Sequence, residues 1–272
     1  MPAAHAMEDP QTAVIEVEDL VTHYGERRIL DQVNLRVMPG EIRVIMGGSG
    51  SGKSTLLRHL LGLNRPTSGT VRLLGKDINR ISGDEMYELR KQIGVAFQGG
   101  ALFTSMTVGE NVRFPLREHT RLDEHTMRIM SRMKLEVVNL AGFEDLMPAE
   151  LSGGMIKRAA LARAIVMDPR LLFFDEPSAG LDPVVSAELD ELILRLRDSM
   201  NITIVVVTHE LDSAFKIADS ITVLDGGRVL VSGSVEEVRA SANERIQALF
   251  NRTPGQEAVD VEDYLERLTR TN

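Results

Sequence analysis

A glycine-rich segment between a strand-like and a helix-like stretch sharply narrows the folds open to this chain. Residues 47–54 read GGSGSGKS; they follow the apolar stretch Glu41–Met46 and precede the helical run TLLRHLLGL. The spacing G-x-x-x-x-G-K-[ST] in a strand–loop–helix setting is typical of a phosphate-binding loop rather than of a plain flexible turn. Glycines let successive backbone N–H groups converge on one anion, and the N-terminus of the following helix adds positive charge.

The same loop predicts the groups that bind a nucleotide. We expect Lys53 to reach the terminal phosphates and the Ser54 hydroxyl to bind Mg²⁺. The predicted nucleotide-binding residues of the loop are Gly47, Gly48, Ser49, Gly50, Ser51, Gly52, Lys53, Ser54 and Thr55.

Strand-like and helix-like segments alternate along the chain, which favours an α/β fold. The predicted strands are Val14–Val17, Glu41–Met46, Thr70–Leu74, Gly94–Phe97, Leu171–Phe174, Thr203–Val207 and Ile221–Leu224. Leu171–Phe174 and Thr203–Val207 are almost continuously apolar, as expected of strands buried on both faces of a parallel sheet. Asp225-Gly226-Gly227 predicts a hairpin turn into the return strand Arg228–Val231.

Capping signals predict where several helices begin. Ser82 with Glu85 forms a capping box for a helix over Gly83–Gln92, and Ser234 with Glu237 repeats that pattern. Asp182 followed by a proline predicts a helix over Val184–Ser199. We expect a flexible tail at 1–13, a core at 14–98 and 168–233, a helical subdomain at 99–167 and a helical extension at 234–272.

Composition limits the classes of function. The chain has 272 residues, a net charge of −9 and no cysteine. Thiolate metal sites are therefore excluded, and no overall attraction to nucleic acid is expected. No apolar run approaches the roughly 20 residues of a membrane-spanning helix. The opening residues MPAAHAMEDPQTA lack the apolar core of a targeting peptide.

Two acidic residues end a predicted buried strand. Asp175 and Glu176 directly follow the run LLFF, and ligands of open α/β sheets bind at the carboxyl ends of strands. Beside a phosphate-binding loop, we expect Asp175 to hold Mg²⁺, directly or through water. Glu176 lies one residue further along, where it could orient or deprotonate an attacking water.

The segment Leu151-Ser152-Gly153-Gly154-Met155 resembles the signature motif of ABC-type ATPases, and the resemblance extends over Ile15–Gly233. Gln98 resembles the family's Q-loop glutamine, His209 its switch histidine and Ser178–Asp182 its D-loop. Tyr24 resembles the aromatic residue that stacks on adenine, although it could also be a partly buried core tyrosine. The resemblance implies a P-loop NTPase (RecA-like) α/β core with an inserted α-helical subdomain and an antiparallel β-subdomain.

The resemblance also implies roles for particular residues. It predicts catalytic roles for Glu176, His209 and Gln98 and a metal site of Ser54, Gln98 and Asp175, with ATP as substrate and Mg²⁺ as its metal. In a head-to-tail dimer, the predicted residues that act on the partner's nucleotide are Ser152, Gly153, Gly154 and Asp182. Ser152 is expected to cap a helix over Met155–Val166, whose first N–H groups form a second anion site.

The stretch FQGGALFTSMTVGENVRFPLREHT and Met155 after the signature glycines resemble ATPases of Mla/Mce-type lipid transport systems. Gly48, where the family often has proline, and Ser178, where threonine is usual, remove no catalytic group. The implied partners are a second ATPase copy, an integral membrane permease dimer and an MCE-type substrate-binding protein, with no nucleic acid. The implied location is the cytoplasmic face of the bacterial inner membrane, as a peripheral subunit. A soluble ABC-type ATPase that acts on nucleic acid or as an assembly scaffold is the alternative.

Two apolar groups have open interpretations. Leu102, Phe103, Met106 and Val108 could contact a permease helix or could form the core of the helical subdomain. Apolar stripes at Ile246, Leu249 and Phe250 and at Tyr264, Leu265 and Leu268 could pack on the same chain or on a partner ATPase.

Overall fold

Two β-sheets and the helices around them make up residues 12–251, the part of the chain that the computed structural model describes. The strands are β1 (Ile15–Tyr24), β2 (Arg27–Val37), β3 (Ile42–Gly47), β4 (Ser68–Leu73), β5 (Lys76–Asp77), β6 (Ile93–Ala96), β7 (Leu171–Asp175), β8 (Thr203–Val207), β9 (Ser220–Asp225) and β10 (Arg228–Ser234). The helices are α1 (Lys53–Leu60), α2 (Gly83–Arg90), α3 (Val108–His119), α4 (Glu124–Val137), α5 (Gly153–Ile165), α6 (Pro183–Met200), α7 (Leu211–Ile217), α8 (Val235–Arg239) and α9 (Glu244–Phe250). No helix within this part of the chain is both long and apolar enough to span a bilayer.

The larger sheet has the strand order β10-β9-β3-β8-β7-β6. Its strands from β9 to β6 are parallel, and β10 closes one edge as the antiparallel partner of β9. The strands β3, β8, β7 and β6 are consecutive neighbours, so their carboxyl ends meet at one edge of the sheet. That edge is where ligands of open α/β sheets bind.

Successive side chains of the central strands pack in two different hydrophobic cores. Leu172 and Phe174 pack in the core on the helical side, together with residues of α3, α5 and α6. Leu171 and Phe173 pack in the opposite core, between the large sheet and the antiparallel sheet β2-β1-β4-β5. Because successive residues of a strand point to opposite faces, a strand that contributes to two cores must be apolar at nearly every position.

The helices between β6 and β7 begin at side-chain caps. Thr107 and Glu110 form a capping box at α3, Asp123 caps α4 and Ser152 caps α5. Residues 99–167 are helical apart from their connections, which supports our proposal that they form a distinct subdomain. Val108 is fully buried in the core, so it does not offer a docking contact, whereas Phe103 is 42% exposed.

The predicted α/β fold with parallel and antiparallel sheets is confirmed, and the seven predicted strands and the return strand are present, with ends that differ by at most three residues except in β1. The longest of these shifts is in β1, which continues to Tyr24. Strand β2 and the short β5 are absent from the predictions. Ala13 is buried, whereas residues 1–11 of the predicted tail lie outside the described part. So do residues 252–272, including the predicted stripe at Tyr264, Leu265 and Leu268.

Candidate active site

The loop after β3 adopts a backbone shape that only glycine permits at its first position. A Cβ atom built on Gly47 would lie 2.2 Å from the carbonyl oxygen of Leu224 and 2.6 Å from Ser51 Oγ. At the other end of the loop, Gly52 is left-handed, with φ 104°, and no side chain caps helix α1. The first N–H groups of α1 therefore face no competing side-chain acceptor and can bind an anion.

Lys53 folds back over this loop. Its Nζ donates hydrogen bonds to the carbonyl oxygens of Gly47 at 2.8 Å and Gly48 at 2.9 Å. Burial lowers the pKa of Lys53, and the negative charges of Glu176 and Asp175 act against that shift. A compact ammonium held among backbone dipoles is a strong partner for a phosphate group.

A cavity of about 840 Å³ lies at the carboxyl edge of the sheet, and most of the predicted site residues line it. The predicted residues that line it are Gly47, Gly48, Ser49, Gly50, Lys53, Ser54, Gln98, Asp175, Glu176 and His209. Glu210, Leu211, Ala248 and Leu249 also line it but are absent from the predicted site residues, although Leu249 belongs to a predicted apolar stripe. Glu210 is the neighbour of His209, whereas the α9 residues Ala248 and Leu249 carry no local signal of such a position.

The side chains of Glu176 and His209 form a hydrogen bond with each other. Glu176 Oε2 lies 2.9 Å from His209 Nδ1 and accepts a hydrogen bond from Thr208 Oγ1 at 3.3 Å. The backbone of Glu176 is left-handed, with φ 49°, a conformation that costs a non-glycine residue free energy and persists where the surroundings impose it. The preceding residue, Asp175, has its pKa raised by burial and by the negative charge of Glu176.

The donor set in the cavity fits Mg²⁺. The Ser54 hydroxyl, the Asp175 carboxylate and the Gln98 amide oxygen are hard oxygen donors that line one cavity, and Mg²⁺ prefers such ligands. Within residues 12–251, no group of three or more His, Cys, Asp or Glu side chains forms a self-sufficient metal site. Mg²⁺ is usually held by one or two carboxylates together with substrate phosphates and water, and the set of Asp175, Ser54 and Gln98 is of that kind.

Tyr24 lies on the other side of the phosphate loop. A second cavity, of about 260 Å³, is lined by Tyr24, Arg27, Ile29 and the loop residues 50–55, including Thr55. The Tyr24 ring is 47% exposed, so it is not a core residue, and its hydroxyl accepts a hydrogen bond from Asn64 Nδ2 at 2.7 Å. An exposed, tethered ring beside a phosphate loop can stack on a nucleobase.

The signature residues lie apart from both cavities. Ser152 Oγ accepts from Met155 N at 3.3 Å, and α5 begins at Gly153, two residues before the predicted Met155. Asp182 accepts from the backbone N–H groups of Val184 and Val185. None of Ser152, Gly153, Gly154 and Asp182 lines the cavity around Lys53, so the site within one chain lacks them.

Comparison with known proteins places this arrangement among ABC transporters. The ABC transporter family matches residues 30–179. The intermembrane phospholipid transport system ATP-binding protein MlaF of Haemophilus influenzae is 46% identical over 86% of this chain and 88% of its own length. The probable ribonucleotide transport ATP-binding protein mkl of Mycobacterium leprae is 41% identical over 89% of this chain and 70% of its own length.

Solved structures of ATP-binding cassettes are also similar to this chain. CbiO1 of Clostridium perfringens, part of the ABC transporter complex cbiONQ, has a TM-score of 0.78 and 30% identity, and the match covers 94% of this chain and 99% of that one. The dimeric post-hydrolysis structure of the ATP-binding cassette MJ0796, bound to ADP and Pi, has a TM-score of 0.75 and 31% identity over 81% of this chain and 98% of that one. Motifs, fold and similarity coincide, and the chain belongs to the ABC transporter family as an ATP-hydrolysing cassette.

Proposed function

We propose that this chain works as one half of a head-to-tail ATPase dimer that powers a separate membrane permease. The observation that carries the proposal is the convergence of the phosphate loop, Asp175, Glu176, His209 and Gln98 on one cavity. These residues follow four neighbouring strands, so the sheet itself sets their relative positions.

Each group has a task in ATP hydrolysis. Lys53 and the loop N–H groups bind the phosphates, while Ser54, Gln98 and Asp175 would hold Mg²⁺, which neutralises phosphate charge when bound. Glu176 orients the attacking water and accepts its proton, and its contact with His209 holds the carboxylate in place. We assign to His209, which lines the same cavity as the phosphate loop, a hydrogen bond to the terminal phosphate.

The dimer follows from the incomplete site in one chain. Ser152, Gly153 and Gly154 form a capped helix start that lines no part of the Lys53 cavity, and a helix N-terminus with glycines is suited to bind an anion. We place this helix start against the terminal phosphate of the partner's ATP, with Asp182 near it. The structures of the MJ0796 cassette are dimeric, which supports a dimer of this chain.

The cargo that we propose is a phospholipid or another hydrophobic molecule, carried by a permease dimer with an MCE-type protein in the bacterial inner membrane. Two relatives, from Haemophilus influenzae and Escherichia coli, are named as parts of a phospholipid transport system. The chain would bind the cytoplasmic face of that membrane. Ribonucleotide transport is a second candidate, because the mycobacterial relative carries that name.

The catalytic part of the proposal is tested with Glu176→Gln. Loss of the base should lower kcat by roughly 10²–10⁴-fold while ATP binding persists, so that ATP traps a stable dimer. Glu191→Gln is the matched control, since Glu191 pairs with Lys216 and lines neither nucleotide cavity. Rapid ATP hydrolysis by Glu176→Gln would exclude Glu176 as the base.

The transport part is tested by co-purification from detergent-solubilised membranes. We expect a permease and an MCE-type protein to co-purify with the wild-type chain, and lipid extraction followed by mass spectrometry to find phospholipid in the complex. Bound ribonucleotide other than ATP or ADP, or the absence of any membrane protein, would contradict the lipid proposal.

A further inference from the structure

Lys157 connects the signature helix to the loop that carries the catalytic carboxylate. Its side chain extends from α5 to the segment that follows β7. The Nζ atom donates hydrogen bonds to the carbonyl oxygens of Pro177 and Ala179, each at 2.6 Å, and lies 3.4 Å from that of Glu176. Three carbonyl oxygens from one short segment therefore meet at a single ammonium group.

The Lys157 ammonium suits a position among three carbonyl oxygens, both in its number of hydrogen-bond donors and in its charge. A lysine ammonium has three N–H donors and no acceptor, so it can bind three carbonyl oxygens at once. Burial lowers the pKa of Lys157, and the negative charge of Glu176 opposes that shift. The ammonium thus stabilises both the backbone and the charge of the catalytic segment.

The segment bound in this way needs an external constraint. Glu176 has a left-handed backbone, with φ 49°, and residues 176–182 lie between β7 and α6 without regular structure. Strained backbone of this kind keeps its shape only where its surroundings hold it. Lys157 supplies such a constraint from a different element of the chain.

We propose that Lys157 is a positioning residue that couples the two ATP sites of the dimer. The proposal rests on the proposed function, in which the N-terminus of α5 binds the partner's ATP. Displacement of α5 on that contact would move Lys157 and, through the three carbonyl oxygens, the segment that orients Glu176. Each site would then become competent for hydrolysis only when the partner's nucleotide is bound.

The coupling is tested with Lys157→Met, which keeps an unbranched side chain only one atom shorter but removes its donors. We expect kcat to fall roughly 10- to 100-fold, as for a misplaced catalytic group. ATP affinity should stay near that of the wild type, because Lys157 lines neither nucleotide cavity. The Hill coefficient for ATP should fall towards one, and Lys157→Arg should restore part of both kcat and cooperativity.

Lys134→Met is the matched control, since its ammonium binds Asp168 away from the site, and it should leave kcat and cooperativity unchanged. Unchanged kcat and cooperativity in Lys157→Met would overturn the coupling while leaving the proposed function intact. An equal fall in ATP affinity and kcat would also overturn it. If Lys157→Met does not fold, Lys157→Gln, which retains donors but not charge, is measured in the same way. Hydrolysis by strictly monomeric wild-type protein would instead overturn the proposed function, and the coupling with it.

Discussion

Asn111 offers the most quantitative test of the structure, because one buried amide holds the loop that follows Gln98. Asn111 lies on α3 with no exposed surface. Its Oδ1 accepts from the Phe103 N–H at 2.8 Å, and its Nδ2 donates to the carbonyl oxygens of Phe103 at 3.0 Å, Met106 at 3.1 Å and Thr107 at 3.0 Å. An amide has two N–H donors, so the three oxygens share them.

The cost of Asn111→Ala follows from these bonds. The Phe103 N–H would lose its acceptor inside the protein, which costs about 1–3 kcal/mol, and each of the two donor bonds contributes about 1 kcal/mol. The Thr107 and Phe103 oxygens each keep a second donor, since they also accept from the backbone N–H groups of Asn111 at 2.9 Å and Met106 at 3.2 Å. We expect a loss of about 4 kcal/mol in the free energy of unfolding, or roughly 8–16 °C in Tm for a chain of this size.

Urea unfolding and thermal unfolding of the purified chain measure this loss. Asn34→Ala is the control: Asn34 is exposed but makes a similar set of bonds, to Asp19 and to the Gln32 carbonyl oxygen. Since exposed groups exchange these bonds for water, Asn34→Ala should cost less than about 1 kcal/mol. A loss for Asn111→Ala no larger than that of the control would refute the assignment of Asn111 as the anchor of this loop.

Three further outcomes are expected. Gly47→Ala should abolish ATP binding in calorimetry, because its Cβ would lie 2.2 Å from the Leu224 oxygen, whereas Gly48→Ala, with no atom within 4 Å, should bind ATP; equal binding would contradict the loop geometry. Burial lowers the pKa of His59, so the unfolded chain binds that proton more tightly, and the stability held by neutral His59 is complete above about pH 6.5 and lost below it. Urea midpoints should therefore fall more on acidification in the wild type than in His59→Gln, and parallel curves would contradict this. Phe103→Asp should weaken co-purification of the permease without unfolding the chain; unchanged recovery would exclude docking at this 42% exposed ring.

Features that depend on residues close together in the sequence could be predicted from the sequence. The phosphate loop, the capping box of Ser82 and Glu85 and the cap at Asp182 all act over a few residues, and the structure contains each of these caps. Strand β2 could also have been predicted, because Val33, Leu35 and Val37 are buried and alternate with exposed residues. Such period-two alternation is a sufficient signal for a strand with one buried face.

Local patterns identified Lys53, Asp175 and Glu176 as chemically important, and the resemblance to ABC-type ATPases added Gln98 and His209. Their meeting in one cavity depends on the strand order β3-β8-β7-β6, which sets neighbours that are far apart in sequence. The amide anchor at Asn111 and the link from Lys157 to Pro177 left no pattern in the chain, and the apolar stripe that includes Leu249 did not indicate that α9 lines the cavity. Each depends on where a distant backbone segment comes to lie, and only long-range packing sets that position.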